Sequence, residues 1–319
     1  MSKALYRKYR SKKLSEVVGQ KHITTVLENA LKQGKIAHAY LFTGPRGVGK
    51  TSIARILAHE INNLPYSEED NHPDIIEIDA ASNNGVDDIR QLRDNVQVVP
   101  FSAKYRVYII DEVHMLSKAA FNALLKTLEE PPEHAVFILA TTDAHKLPAT
   151  IISRTQRFVF RFISKEDVCA HLEFIAKNEK INISKEAIEI IAERGEGSFR
   201  DSISLLDQIS SIAKKNEEIT ANLLEEALGL APKMQINALI SAFENQNSNE
   251  ILQIVRDVRN SGVDLKNFAS QLLSFITENV GEKPYLSQFL MPLTRAEKSN
   301  FIEMELLSIF IQPSFTPHF

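Results

Sequence analysis

The hydrophobic pattern of the chain changes about halfway along its length. In the first half, short apolar runs alternate with helical stretches, and five runs are predicted strands: residues 39–42, 75–78, 107–110, 136–140 and 158–160. Continuous apolar strands separated by helices are typical of a parallel sheet covered on both faces. After residue 162 the strand-like runs stop and helical spacing takes over. The pattern predicts an α/β fold with a parallel sheet core, followed by helical domains.

Capping residues and apolar stripes divide the chain further. Ser117 is predicted to start a helix inside the α/β domain, which we place at residues 1–163. Ser164 and the acids after it resemble a capping box and open a helical lid at residues 164–226, whose third helix is predicted at 202–212. A helical domain follows at 227–319. Its stripes at 251–258 and 268–276 are either core or a subunit interface, and no role is predicted for 281–319.

Composition limits the possible functions. A chain of 319 residues is too long for one ordinary core, and its net charge of -4 excludes a uniformly basic nucleic-acid binder. The single cysteine, Cys169, excludes an intrachain disulfide and a cysteine-rich zinc site. No apolar run approaches the roughly 20 residues that span a bilayer, and the basic N-terminus lacks the apolar core of a secretory signal. We expect a cytoplasmic protein without membrane contact.

A phosphate-binding motif lies between the first predicted strand and a predicted helix. The motif G-x-x-x-x-G-K-S/T is matched by Gly44, Pro45, Arg46, Gly47, Val48, Gly49, Lys50 and Thr51. Glycines let backbone amides surround phosphate oxygens, and the helix N-terminus adds positive potential. Lys50 would neutralise β- and γ-phosphate charge, Thr51 would hold Mg²⁺, and Ser52 would also contact the nucleotide. The motif predicts a nucleotide site.

Polar residues end the third and fourth predicted strands. Ligands bind at the carboxyl ends of strands in such sheets, so Asp111 would hold Mg²⁺ through water. Glu112 would orient and polarise the attacking water, because that task needs an acceptor beside the γ-phosphate. Thr141 or Thr142 could hydrogen-bond the γ-phosphate or the same water. These residues predict hydrolysis of the bound nucleotide.

Two arginines are candidates for stabilising a transferring phosphoryl group. Arg154 lies between the last two predicted strands, and Arg200 lies at the start of a lid helix. A guanidinium can act on a phosphoryl group held by its own chain or by a neighbour. The alternatives are an ordinary surface side chain for Arg154 and an ion pair with Asp201 for Arg200. The sequence leaves both open.

These motifs together resemble the AAA+ clamp-loader ATPases, and within them the gamma/tau family of bacterial DNA polymerase III subunits. The sequence Asp-Glu-Val-His at residues 111–114 and the long run that follows it are specific to that family. The resemblance is carried by Tyr9-Arg10, residues 17–20, 38–42, the phosphate loop, 79–86, 110–117, 121–132, 140–142, 151–154 and 197–201.

The resemblance implies roles that spacing does not reveal. The nucleotide would be ATP, with Arg7, Arg10, Val17 and Val18 lining its pocket. Thr142, or Thr141 beside it, would be sensor 1, Arg154 an arginine finger acting on the adjacent subunit, and Arg200 sensor 2. The C-terminal helices would form a collar that joins subunits into a ring. Partners would be delta- and delta-prime-type subunits, copies of the chain, a sliding clamp and primed DNA.

Three departures from the family pattern modify these expectations. The family's four-cysteine zinc module is replaced at residues 60–73 by a segment without cysteine, so no zinc is expected, and His59 and His72 alone would make a poor site. Thr155 stands where the family has a cysteine after the arginine, which leaves the role of Arg154 intact. A chain ending near Phe319 is not expected to include the long extension of tau forms.

Contact with DNA would come from a helix N-terminus, whose amides bind phosphate without reading bases. Ser82, Asn83, Asn84 and Gly85 precede a predicted helix at residues 86–94 and are the candidates. An ordinary polar turn is the alternative. Lys104, Arg106 and Lys118 could add positive charge.

The predicted function is the motor subunit of a replicative clamp loader. One alternative is a nucleotide-gated scaffold with little turnover, and another is a different AAA+ DNA-remodelling ATPase such as a branch-migration motor. The sequence contains no acidic metal-binding motif of a polymerase. Terms such as DNA-directed DNA polymerase, nucleotidyltransferase or transferase would therefore describe membership of the holoenzyme.

Overall fold

The computed structural model describes residues 3–67, 72–83, 85, 89, 92, 95–213 and 217–311. The chain divides into two compact units, Met1–Asn216 and Glu217–Phe319. The first unit contains the predicted α/β domain together with most of the predicted lid, and the second contains the predicted collar. The division into three domains remains a prediction.

Five strands of the first unit form one parallel sheet among the described residues. They are β1 (Ala39–Thr43), β2 (Ile75–Asp79), β3 (Arg106–Asp111), β4 (Ala135–Thr141) and β5 (Gln156–Val159). Their order is β2-β3-β4-β1-β5. This confirms the predicted fold and all five predicted strands. β5 begins before its predicted start at residue 158, because the first two residues of this edge strand are exposed and polar and carry no apolar signal.

The two central strands provide a rigid platform for the loops that follow them. Every residue of β1 and β4 is buried, and Leu41 lies opposite Leu139. The rings of Tyr108 and Phe137 stack with centroids 5.4 Å apart. Burial of an apolar side chain of this size contributes about 1.5–3 kcal/mol relative to an exposed one. The carboxyl edge of the sheet is therefore held firmly in place.

Helices cover the sheet and form the lid. They are α1 (Leu5–Lys8), α2 (Lys21–Lys32), α3 (Lys50–Ile61), α4 (Lys118–Glu129), α5 (Ala149–Ile152), α6 (Lys165–Glu179), α7 (Lys185–Arg194) and α8 (Phe199–Ile212). The hydroxyls of Ser117 and Ser164 accept backbone N–H groups of α4 and α6, as predicted. Ser198 caps α8, which therefore begins before the predicted residue 202. Most of the predicted helix at 86–94 lies outside the described residues.

The second unit has a helical core of its own. Its helices are α9 (Ala221–Leu228), α10 (Lys233–Glu244), α11 (Ser248–Asn260), α12 (Leu265–Asn279), α13 (Leu290–Ala296) and α14 (Ile302–Phe310). The two predicted stripes lie on α11 and α12 and are mainly core, since Val255, Val258, Phe268 and Leu272 are fully buried. No helix in the described part of the chain combines the length and apolarity needed to cross a bilayer.

Candidate nucleotide-binding site

The phosphate loop connects β1 to α3, and its three glycines have backbone angles that favour glycine, while two of them also lack space for a side chain. Gly44, Gly47 and Gly49 have φ of +142°, +74° and +100°, which L side chains rarely adopt. A Cβ on Gly44 would lie 2.5 Å from the carbonyl oxygen of Phe160. A Cβ on Gly47 would lie 1.8 Å from the Ser198 hydroxyl. The loop is therefore pressed against both the end of β5 and the lid.

Lys50 is held within the phosphate loop. Its side chain is buried, and its ammonium donates hydrogen bonds to the carbonyls of Gly44 and Pro45 at 2.9 and 2.6 Å. Burial lowers the pKa of Lys50, while the nearby carboxylates of Glu112 and Asp111 oppose that shift. The cation thus lies between the loop and the two acids, where a nucleotide's terminal phosphates would approach.

Thr51 and Asp111 meet at the carboxyl edge of the sheet. The Thr51 hydroxyl donates to Asp111 Oδ2 at 2.6 Å, which joins the first turn of α3 to the end of β3. A hydroxyl and a carboxylate are oxygen ligands of the kind Mg²⁺ prefers. Among the described residues, no three His, Cys, Asp or Glu side chains cluster as a metal site. Thr51 and Asp111 fit a magnesium ion whose remaining ligands are phosphate oxygens and water. The absence of zinc remains a prediction.

Glu112 is fixed by its neighbours. Its backbone is left-handed (φ +46°), and its Oε2 accepts hydrogen bonds from Thr142 N and Oγ1 at 3.2 and 3.1 Å. His114 Nδ1 lies 3.3 Å from the same oxygen and 2.9 Å from the hydroxyl of Thr141. Thr141 is fully buried and Thr142 is exposed, so only Thr142 combines solvent access with a contact to Glu112. The geometry favours Thr142 for the sensor role.

Most predicted site residues line one pocket of the first unit. They are Arg10, Val17, Val18, Arg46, Gly47, Val48, Gly49, Lys50, Thr51, Ser52, Asp111, Glu112 and Arg200. Val17 and Val18 line the same pocket as the phosphate loop, and their contact with a nucleotide remains a prediction. Gly44 and Pro45 contribute through the carbonyls that hold Lys50.

Two predicted arginines lie outside this pocket wall. Arg7 is exposed, and its Nε donates to the hydroxyl of Tyr6 at 3.2 Å. Arg154 donates to Glu129 Oε1 at 2.8 Å and to the carbonyl of Thr150 at 3.0 Å. Its guanidinium is therefore held at the surface, away from its own chain's nucleotide pocket. Arg7 was predicted to line the pocket and does not. It contacts the pocket wall through its hydrogen bond to Tyr6.

An aromatic side of the pocket was missed by reasoning from sequence. Tyr6 and Tyr9 from the N-terminal segment line the pocket together with His171 and Phe199 from α6 and α8. The rings of His171 and Phe199 lie 4.9 Å apart, and burial lowers the pKa of His171, which favours the neutral imidazole. These residues are far apart in the chain, so no local motif connects them. Aromatic residues spaced among the N-terminal basic ones were the only available signal.

The candidate DNA-contacting residues form a self-contained turn where they are described. Asp79 accepts a hydrogen bond from the Ser82 hydroxyl at 3.0 Å, and its carbonyl accepts one from the Asn83 amide at 3.1 Å. Asn84 lies outside the described residues, and Gly85 follows it. Arg106 begins β3 and Asp111 ends it. Lys104 and Arg106 therefore lie at the amino end of this strand, and Asp111 lies at its carboxyl end. Contact of these residues with DNA remains a prediction.

Comparison with known proteins places these features in a family. A profile described as DNA polymerase III, delta subunit, matches residues 19–164. A second, described as DNA polymerase III clamp loader subunit, ATPase lid domain, matches residues 167–214. The fold resembles the Thermotoga maritima RuvB Holliday junction branch migration motor, with a TM-score of 0.56 and 23% identity over 74% of this chain and 79% of that one. At this identity the likeness shows the fold alone.

Sequence relatives give the narrower assignment. The chain is 44% identical to DNA polymerase III subunit tau of Bacillus subtilis, over 86% of this chain and 51% of that protein. It is 41% identical to Escherichia coli subunit tau, over 85% of this chain and 44% of that protein, so it spans about half the length of these relatives. It is 39% identical to Buchnera aphidicola (Schizaphis graminum) subunit gamma, over 85% of this chain and 78% of that protein. The chain therefore belongs to the gamma/tau family of bacterial DNA polymerase III subunits.

Proposed function

We propose that this chain is the ATP-driven motor subunit of a bacterial replicative clamp loader, binding and hydrolysing ATP to load a sliding clamp on primed DNA. The observation that carries this proposal is the meeting of the phosphate loop with two acids at the carboxyl edge of the sheet. Thr51 and Asp111 are joined at 2.6 Å, and Glu112 follows directly at the same edge of the sheet. Family membership supports the clamp-loader role.

The residues divide the work of hydrolysis. The loop amides and Lys50 would bind the phosphates, and Thr51 and Asp111 would hold Mg²⁺, which neutralises charge on the phosphate oxygens. Glu112 would orient and polarise the attacking water. Thr142 holds the Glu112 carboxylate by two hydrogen bonds and would set its direction.

Arg154 would act on ATP bound by the neighbouring subunit. Its guanidinium lies outside its own pocket and is about one-third exposed, in an ion pair with Glu129. An arginine so placed can reach a phosphoryl group only across a subunit boundary. Copies of this chain and delta- and delta-prime-type subunits would supply those boundaries, in a cytoplasmic complex with the clamp and primed DNA.

The alternatives are less well supported. A scaffold with little turnover would not need Lys50, Asp111, Glu112 and Thr142 arranged together. Another AAA+ DNA-remodelling ATPase would share the fold, which is all that the RuvB likeness supports. The family-specific run after Asp111 favours the clamp loader.

The first experiment is ATP hydrolysis by the full chain with its cognate loader subunits, with and without primed DNA and sliding clamp. DNA and clamp should stimulate turnover, and Lys50→Ala should abolish ATP binding while the chain stays folded. Lys35→Ala, which removes an exposed lysine outside the pocket, is the matched control. Normal turnover by Lys50→Ala would overturn the site, and indifference to DNA and clamp would overturn the clamp-loader role.

A further inference from the structure

Tyr6 lies against Arg200 in the wall of the nucleotide pocket. Both residues line the pocket, and the guanidinium carbon of Arg200 lies 5.4 Å from the centre of the Tyr6 ring. An aromatic ring attracts a cation placed over its face at this distance. The hydroxyl of Tyr6 accepts a hydrogen bond from Arg7 Nε at 3.2 Å, which restrains the ring from its other end.

The helix that carries Tyr6 is fastened to the lid. The backbone N–H of Leu5 donates to Asp207 Oδ2 on α8 at 3.1 Å. Lys8 forms an ion pair with Glu179 of α6 at 2.6 Å, and the hydroxyl of Tyr9 donates to the same carboxylate. Tyr6 is therefore fixed with respect to α8, the helix that carries Arg200.

Arg200 lies directly beside the phosphate loop. A Cβ on Gly47 would be 3.4 Å from the Cβ of Arg200. The arginine occupies the first turn of α8 and is exposed, so its long side chain has many rotamers available. Arg10 lines the same pocket and Arg7 lies near the same ring, so other arginine charges lie in this part of the wall. The contact with the Tyr6 ring is attractive and favours the guanidinium directions that keep the cation near the ring.

We propose that Tyr6 is a positioning residue that holds Arg200 toward the phosphates of the bound nucleotide. The inference rests on the proposed function, since it takes ATP as the ligand. Tyr6 affects ATP binding through Arg200 and not through contact with the adenine base. Its removal should weaken ATP binding only while Arg200 is present.

A double-mutant cycle tests this directly. The dissociation constant for ATP with Mg²⁺ is measured by competition with a fluorescent ATP analogue on the full chain, for the parent, Tyr6→Leu, Arg200→Ala and the double variant. Tyr6→Leu should weaken binding about threefold to tenfold, the range of one cation–π contact. The double variant should bind no more weakly than Arg200→Ala alone. Tyr6→Phe keeps the ring and should restore binding to within about twofold of the parent.

Tyr105→Leu is the matched control, because it removes a ring that pairs with Lys104 outside the pocket at 5.1 Å. Its affinity for ATP should equal that of the parent. Parent-like binding by Tyr6→Leu, or an equal loss in the Arg200→Ala background, would overturn the inference. The second result would assign Tyr6 to the base instead. Failure of the parent itself to bind ATP would overturn the proposed function and the inference with it.

Discussion

At the scale of single residues, the glutamate proposed to orient the attacking water has a backbone conformation that non-glycine residues rarely adopt. Glu112 has φ +46°, and Thr142 donates to its carboxylate through both N–H and hydroxyl. Non-glycine residues with such angles cost about 1–3 kcal/mol each and cluster at functional sites. The hydrogen bonds from Thr142 hold the carboxylate at the carboxyl edge of the sheet.

Replacing this carboxylate should separate binding from turnover. Glu112→Gln keeps the size of the side chain but loses its basicity, so hydrolysis in the assembled loader should fall by roughly 10²-fold or more. The ATP dissociation constant should change little, because the phosphate contacts proposed for Lys50 and Thr51 do not involve Glu112. Steady-state hydrolysis and nucleotide titration measure the two effects. A variant that binds ATP poorly but hydrolyses it at the parent rate would contradict the assignment.

Asp74 is a second residue whose charge has a structural consequence. The carboxylate is buried and accepts backbone N–H groups of Phe101, Ser102 and Ala103 at 2.6, 2.9 and 2.9 Å. Burial raises the pKa of Asp74, but these hydrogen bonds outweigh it and hold the pKa below its usual value. The carboxylate thereby anchors the loop before β3.

Because the folded pKa is depressed, this stabilisation is complete above the unfolded value of about 3.9 and is lost as pH falls through the folded one. Asp74→Asn should lower the free energy of unfolding by about 1–3 kcal/mol at neutral pH, and the difference should shrink by about pH 3. Urea unfolding at both pH values measures it. Asp143→Asn, which removes a solvent-exposed ion pair with Lys146, should leave the midpoint unchanged. An Asp74→Asn effect independent of pH would contradict the role of the charge.

At the scale of elements, the phosphate loop and the start of α8 must approach closely. Gly47 lies against Ser198, which caps α8, and both the φ of Gly47 and the lack of space exclude a side chain there. Gly34 also has a positive φ of +67°, but nothing lies within 4 Å of a Cβ added to it. Comparing a substitution at Gly47 with one at Gly34 therefore distinguishes the cost of backbone strain from the cost of a clash with the lid.

Gly47→Ala should weaken ATP binding by roughly tenfold or more, since it adds a steric clash to a conformational cost of about 1 kcal/mol. Gly34→Ala should show only the conformational cost, as a modest fall in thermal stability with unchanged ATP affinity. Nucleotide titration and thermal unfolding of both variants measure this. Equal ATP affinities would mean that the lid does not need to approach the loop.

The local patterns of the elements were largely sufficient to predict the fold. The five strands were recognised because each is a short apolar run, and α4 and α6 because a serine caps a regular apolar stripe. The predicted start of β5 was wrong because its first two residues, Gln156 and Arg157, are exposed and polar. The predicted start of α8 at residue 202 was too late, because the capping residue Ser198 follows Gly195 and Gly197, which are turn signals.

At the scale of the whole molecule, one active site should require two chains. Arg154 is held at the surface by Glu129, away from its own pocket. In nucleotide hydrolases an arginine supplied by a neighbour contributes a factor of roughly 10³ or more to turnover. A complete site would then contain one chain's Glu112 and another chain's Arg154.

Mixing two inactive variants tests this sharing. Arg154→Ala and Glu112→Gln should each be nearly inactive in the assembled loader, whereas their mixture should regain DNA-stimulated hydrolysis. The mixture succeeds because some sites combine an intact Glu112 with an intact Arg154 from the neighbour. Arg161→Ala, which removes an exposed arginine that does not line the pocket, should keep the parent rate. A mixture no faster than the mean of the two variants would show that Arg154 acts within its own chain.

The sequence by itself determined the parts of the site whose chemistry lies in a short segment. The phosphate loop, the acids ending β3 and the threonines ending β4 follow strands whose apolar runs are readable without coordinates. Parallel strands bring their carboxyl ends to one edge, so these segments had to meet. Family membership followed from the same segments.

Only the tertiary structure decided which residues complete that edge. It distinguished Thr142 from the buried Thr141, placed Arg154 outside its own pocket, and brought Tyr6 against Arg200. Each of these relations depends on how α1, α4 and the lid helices pack. Packing joins residues that are distant along the chain, and no local spacing rule records which side chains it brings together.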